Sequence, residues 1–190
     1  MCGIIAVVRR PSTRAIPDID SLIESITDLA SLVRDGADPT TGLREAADRL
    51  FAADTALRGV PGLQLMLSER SLTDTIAHHV GSLGAVIETL ESGDDADTEV
   101  DTAELERRNH ELGRVRDGMW ALCRDRIRAA DAVSELAGDS RTSAAIEGYL
   151  SIHQALSALD RLEVRGRDSA GLHVLVHDHA LDLGDLSVQA

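Results

Sequence analysis

The chain lacks lysine and has an excess of acid, and both features narrow its possible functions. All 19 basic residues are arginine, and 33 acidic residues give a formal net charge of −14. Without lysine, the chain has no residue for Schiff-base chemistry and none for a lysine-dependent phosphate loop. Nucleic-acid binding needs clustered positive charge, so this composition argues against a nucleic-acid partner.

Aromatic residues, cysteines and long apolar runs are also scarce. Only three aromatics occur, Phe51, Trp120 and Tyr149, so we expect an aliphatic core and no stacking platform for bases. Two cysteines, Cys2 and Cys123, cannot form a disulfide framework, and the start does not resemble a signal peptide. We therefore expect a reduced, cytoplasmic protein. No run approaches the ~20 apolar residues of a spanning helix, so no membrane association is expected.

Helical periodicity dominates the middle of the chain. Leu22, Ile26, Leu29 and Val33 predict one helix that ends near Gly36. We predict further helices over residues 43–57, 72–90, 103–136 and 143–162, with stops at Gly59 and Pro61 and an exposed acidic linker over residues 92–101. The 103–136 helix carries an apolar seam with coiled-coil spacing, made of Leu105, Leu112, Val115, Met119 and Leu122.

Two short apolar segments near the chain ends have a different pattern. Residues 3–8 are wholly apolar, and residues 172–176 read Leu-His-Val-Leu-Val. Short runs of this kind are typical of covered β-strands. We therefore predict a strand at each end of the chain.

Cys2 is the candidate nucleophile. If Met1 is removed, Cys2 becomes the first residue and carries both a thiol and a free α-amine. The reference pKa of a thiol is about 8.5 and that of an α-amine is about 7.7–8.0, so the amine can accept the thiol proton near neutral pH.

Both ends of the chain resemble the class II, N-terminal-nucleophile, glutamine amidotransferases. The opening Cys2-Gly3-Ile4-Ile5 is similar to the start of that family, and Leu162 to Gly171, which reads Leu-Glu-Val-Arg-Gly-Arg-Asp-Ser-Ala-Gly, is similar to its Arg-Gly-x-Asp-Ser-Ala-Gly signature. The resemblance covers about a quarter of the chain. Among the branches, glucosamine-6-phosphate synthase looks most similar and amidophosphoribosyltransferase next.

The resemblance implies a fold and a reaction. Cys2 would attack the side-chain amide of L-glutamine, and the signature residues would support it: Arg165, Gly166, Asp168, Ser169 and Gly171. The implied fold class is α+β, the N-terminal portion of an αββα core with a large helical insertion. In that division, residues 1–16 hold the first strand, 17–142 the insertion, and 143–190 a helix, the signature and the second strand.

The sequence also departs from the family. Arg167 stands where glucosamine-6-phosphate synthase usually has tyrosine. The family's downstream arginine for the glutamine carboxylate, its Asn-Gly oxyanion pair and its phosphosugar isomerase domain have no counterpart in these 190 residues. We therefore expect a fragment of a larger synthase, weak or inactive alone, with the phosphosugar acceptor bound by the absent isomerase domain.

Other interpretations stay open. The chain could be a non-catalytic helical module in which the long seam mediates interaction or homodimerisation, or a different N-terminal-nucleophile amide hydrolase. No cofactor is expected. His173, His177 and His179 could share a strand face, but a solvated hairpin is the expected state, so no metal site is predicted. Cys123 is expected to be a core thiol.

Overall fold

The chain forms a helical bundle in a computed structural model that describes residues 4–36, 38–93, 101–163, 171–177, 180, 182, 184 and 185. Helices account for 76% of these described residues. They are α1 (Ile19–Ile26), α2 (Leu29–Asp35), α3 (Pro39–Leu57), α4 (Gly59–Ser68), α5 (Arg70–Gly93), α6 (Thr102–Trp120), a π-helical segment (Ala121–Ile127), α7 (Arg128–Ala137) and α8 (Ser143–Glu163).

The core forms around α3, which packs against α1, α2, α4, α6 and the π-helical segment. Leu43, Leu50 and Leu57 recur every seven residues along α3, and each is at most 1% exposed. Leu112, Val115 and Leu122 from the predicted seam are buried in the same core. These three positions of the seam therefore pack inside their own chain, whereas Leu105 is 38% exposed.

The first predicted helix is two helices. The four predicted core residues, Leu22, Ile26, Leu29 and Val33, are all buried. However, α1 ends at Ile26 and α2 begins at Leu29, because Asp28 has a left-handed backbone with a φ of 59°. Thr27 closes α1 by donating both its N–H and its hydroxyl to the Ile23 carbonyl.

The predicted end of the second helix at Leu57 is confirmed, but Gly59 and Pro61 also belong to a new helix, α4, which was not predicted. Gly59 takes a φ of 73°, which favours glycine, and starts the new helix. Pro61 is the third residue of α4, where a backbone N–H has no partner within the helix. The proline therefore costs no hydrogen bond in this first turn.

The π-helical segment divides the long predicted helix without ending it. Arg128 donates its N–H to the carbonyl of Cys123, five residues earlier, as a π-helix requires. Leu122 is buried at the start of this segment and Val133 further along in α7. The helix thus changes its hydrogen-bond register while its apolar side stays in the core.

The predicted α+β fold class is wrong for the described part of the chain, which contains helices and no strand. Residues 4–8 and 171–177 have no regular secondary structure, and Ile4, Val8 and Leu175 are 96%, 90% and 83% exposed. A strand needs a hydrogen-bonding neighbour and a cover for its apolar face. The apolar pattern gives these segments a propensity for strand, but it specifies neither the hydrogen-bonding neighbour nor the cover.

The chain divides into two compact units. One contains Met1–Val7 and Gln154–Ala190, and the other contains Val8–His153. The bundle core described above lies within the second unit. Among the described residues, none of the helices combines the length and the apolar character that crossing a bilayer requires.

Candidate functional site

Most of the predicted site residues lie outside the described residues. These are Cys2, Arg165, Gly166, Asp168 and Ser169. Gly171 is described and lies in an exposed segment without regular structure. The catalytic role of Cys2 and the supporting role of the signature therefore stay predictions, and the described residues show how the chain leads to each of them.

Helix α8 leads to the signature. It begins at Ser143, where the Thr142 hydroxyl accepts the Ala145 N–H at 3.2 Å, and it ends at Glu163, two residues before Arg165. Ile146 and Leu150 hold its first half in the core. After Leu150, the described residues of α8 are at most partly buried. The bundle therefore anchors the helix by its beginning.

The N-terminal segment is attached to the bundle through Arg14. Its guanidinium donates to three carbonyl oxygens at the end of α3: Thr55 at 3.2 Å, Ala56 at 2.7 Å and Arg58 at 2.9 Å. The last carbonyls of a helix have no partner within it and carry partial negative charge. A planar cation with several N–H donors matches this end. Nothing in the sequence distinguishes Arg14 from its neighbours Arg9 and Arg10.

Arg9 connects the same segment to α8. Burial lowers the pKa of the Arg9 guanidinium, and the nearby carboxylate of Glu147 opposes that shift. Arg9 comes from the start of the bundle, and Glu147 lies in the first turns of α8. The start of the bundle therefore lies within electrostatic range of the first turns of α8.

Cys123 is half-buried in the π-helical segment and packs against the core, which agrees with the predicted core thiol. Burial raises the pKa of its thiol, and the charge of Arg124 opposes this only in part. The thiolate is the reactive form of cysteine, so Cys123 is a poor nucleophile at neutral pH.

Two buried carboxylates were not anticipated from the sequence. Asp54 is 0% exposed and accepts from Arg126 Nε at 2.7 Å and from Arg58 Nε at 2.9 Å. Glu111 is 6% exposed and accepts from Arg114 at 2.7 Å and from Arg44 at 3.1 Å. The sequence signals were the i,i+4 spacing of Asp54 and Arg58 and the i,i+3 spacing of Glu111 and Arg114.

The surroundings of these carboxylates favour a structural role. Burial alone would raise the pKa of Glu111, but the hydrogen bonds from Arg114 and Arg44 outweigh burial and lower it. A carboxylate held ionised by two guanidiniums is a weak base. Across the part of the chain that the structure describes, no three His, Cys, Asp or Glu side chains are arranged to hold a metal ion.

Comparisons with protein-family models, curated proteins and solved structures return no match for this chain.

Proposed function

We propose that this chain supplies the nucleophile-bearing part of a class II glutamine amidotransferase. The observation that carries the proposal is the grouping of Met1–Val7 with Gln154–Ala190 in one compact unit. The first of these segments contains the Cys2-Gly3-Ile4-Ile5 start, and the second contains the signature from Arg165 to Gly171. Two segments that resemble motifs of one family, far apart in sequence, are thus grouped in the same unit.

The electrostatic interaction between Arg9 and Glu147 supports the same proposal. A domain accepts an insertion when the two connections lie close together. Arg9 lies near the first connection, and Glu147, with which it interacts, lies in the helix that leads to the second. This arrangement is compatible with an insertion of the helices between them.

The proposed chemistry begins after Met1 is removed. The α-amine of Cys2 takes the thiol proton, and the thiolate attacks the side-chain carbonyl carbon of L-glutamine. The C–N bond then breaks, the amine returns a proton to the departing nitrogen, and ammonia leaves behind a γ-glutamyl thioester. Water hydrolyses the thioester to glutamate and restores the thiol. Arg165 and Asp168 would support the nucleophile's surroundings without touching the reacting atoms.

The acceptor is part of the proposal as well. The resemblance to glucosamine-6-phosphate synthase favours delivery of ammonia to fructose 6-phosphate, and the resemblance to amidophosphoribosyltransferase keeps a phosphoribosyl acceptor as the alternative. A free, reactive thiol at residue 2 fits a reducing compartment, so the proposal includes a cytoplasmic location.

The test is selective labelling in the full-length protein. Intact-mass spectrometry should show that Met1 is absent, and a diazoketone analogue of glutamine should alkylate Cys2. Cys123 is the internal control, because its thiol is half-buried and burial raises its pKa, so it should react far more slowly. Cys2→Ala should abolish labelling, and Cys123→Ala should leave its rate unchanged. Retained Met1, or labelling that persists in Cys2→Ala, would overturn the proposal.

The helical interaction module is less well supported. It relied on the apolar seam as a free surface, and Leu112, Val115 and Leu122 of that seam are buried within the chain. A stable protein that the analogue does not label at Cys2 would nevertheless favour it over the amidotransferase.

A further inference from the structure

The segment that joins the start of the chain to the bundle runs along α3. Arg14, Ala15 and Pro17 line one side of a shallow depression of about 740 Å³, and α3 residues from Asp48 to Ala56 line the other. We call residues 8–17 the strap. It has no regular secondary structure, so side-chain contacts are what hold it in place.

Arg14 is the main fastening of the strap. Its three hydrogen bonds of 2.7–3.2 Å reach the carbonyls of residues 55, 56 and 58, which lie on both sides of the end of α3 at Leu57. A guanidinium presents its donors in a fixed plane, so one side chain can satisfy several carbonyls at once. A lysine ammonium, as a compact charge, is expected to reproduce the attraction but not all three bonds.

Arg9 provides a second fastening, closer to the start of the chain. It is partly buried, and its charge interacts with that of Glu147 on α8. The strap is thus held at the end of α3 and beside the helix that leads to the signature.

We infer that Arg14 is a positioning residue, which fixes the strap on α3 and thereby sets where the apolar segment bearing Cys2 leaves the bundle. The consequence for Cys2 rests on the proposed function; the fixing of the strap does not. The helical bundle would then do more than interrupt the sequence, because it would limit the space available to the nucleophile.

The first test measures the strap without reference to catalysis. Backbone ¹⁵N order parameters of residues 10–16 in the 190-residue chain should be near the rigid value of about 0.85, and Arg14→Ala should lower them below about 0.6. Arg10→Ala is the matched control, since Arg10 is an exposed arginine of the same strap. It should change nothing. Arg14→Lys should give intermediate values, and core resonances should stay dispersed in every variant.

The second test measures Cys2 in the full-length protein. Because small misplacements of a reacting group are costly, Arg14→Ala should slow the maximal rate of Cys2 alkylation by about tenfold or more, with little change in the analogue concentration for half-maximal rate. Arg14→Lys should restore part of the rate, and Arg10→Ala should match the wild type.

The outcomes separate the two proposals. A wild-type protein that is not labelled at Cys2 overturns the proposed function, and the order parameters still decide whether Arg14 fixes the strap. Unchanged order parameters in Arg14→Ala overturn the inference. So does a mobile strap with alkylation at the wild-type rate, because the strap would then have no effect on Cys2.

Discussion

A substitution of Asp54 tests how much a fully buried carboxylate contributes to the stability of the bundle. The Asp54 carboxylate is fully buried in α3 and links two distant parts of the chain, Arg58 at the start of α4 and Arg126 in the π-helical segment. Asp54→Ala removes the acceptor from both guanidiniums at once. Arg126, whose side chain is 22% exposed, would keep its charge with little access to water.

The expected cost follows from these exposures. Removing one partner of a buried ion pair typically costs about 3–5 kcal/mol. Arg58 is 55% exposed and can return to water, so the lower end applies, about 3 kcal/mol. At roughly 2–4 °C per kcal/mol for a chain of this size, the melting temperature should fall by about 6–12 °C.

The assay is urea unfolding followed by circular dichroism at 222 nm. Asp48→Ala is the matched control, because Asp48 also lies in α3 and pairs with an arginine, Arg114, but is 61% exposed. It should cost less than about 1 kcal/mol. A double-mutant cycle with Arg126→Ala should give a coupling of about 1 kcal/mol or more with Asp54. Equal costs for Asp54→Ala and Asp48→Ala would refute the reasoning.

Two further predictions concern helix contact and pH. A Cβ at Gly118 would lie 2.8 Å from the Leu50 Cβ, so Gly118→Ala should destabilise the fold by about 1–2 kcal/mol. A Cβ at Gly113, on the same helix, meets no other atom, so Gly113→Ala should stabilise the fold by about 0.5–1 kcal/mol. Changes of the same sign in urea unfolding would contradict the packing of α3 on α6. The pKa of Glu111 is lowered in the fold from 4.5, so its ionised form stabilises the protein above that pH and the contribution is lost as pH falls through the folded pKa. The difference in unfolding free energy between wild type and Glu111→Gln should therefore shrink from pH 6 towards pH 3, and a constant difference would rule out this linkage.

Apolar spacing predicted the core better than it predicted the helix ends. Leu22, Ile26, Leu29 and Val33 are all buried, although the helix they predicted breaks between them. Burial depends on the repeat of apolar residues, which the sequence displays. The break depends on a left-handed Asp28, a conformation that aspartate adopts only occasionally and that no spacing reveals.

Structural features that depend on residues far apart in sequence could not be predicted in the same way. The end segments have the composition of strands, yet residues 4–8 and 171–177 are described without one, because pairing requires neighbours that composition does not specify. The same limit applies to the site. Cys2 and the signature could be proposed from sequence motifs, whereas the hydrogen bonds of Arg14 to α3 and the electrostatic interaction of Arg9 with Glu147 join residues too far apart in sequence to be anticipated.

The use of arginine as the chain's basic residue, with no lysine, has a structural consequence at the ends of the helices. Asp18 and Asp38 cap the beginnings of α1 and α3, where backbone N–H groups lack partners and the helix dipole is positive. Arginines occupy two opposite ends: Arg14 at the end of α3, and Arg49 at the end of α1, where it donates to the carbonyls of residues 24, 25 and 27 at 2.7–2.9 Å. Each of these two caps satisfies three carbonyls with one side chain, which a planar guanidinium does well and an ammonium does poorly. Arg14, one of these two caps, also fixes the strap that leads to Cys2. The side chain that completes the end of α3 is therefore the one through which the bundle would act on the position of the proposed nucleophile.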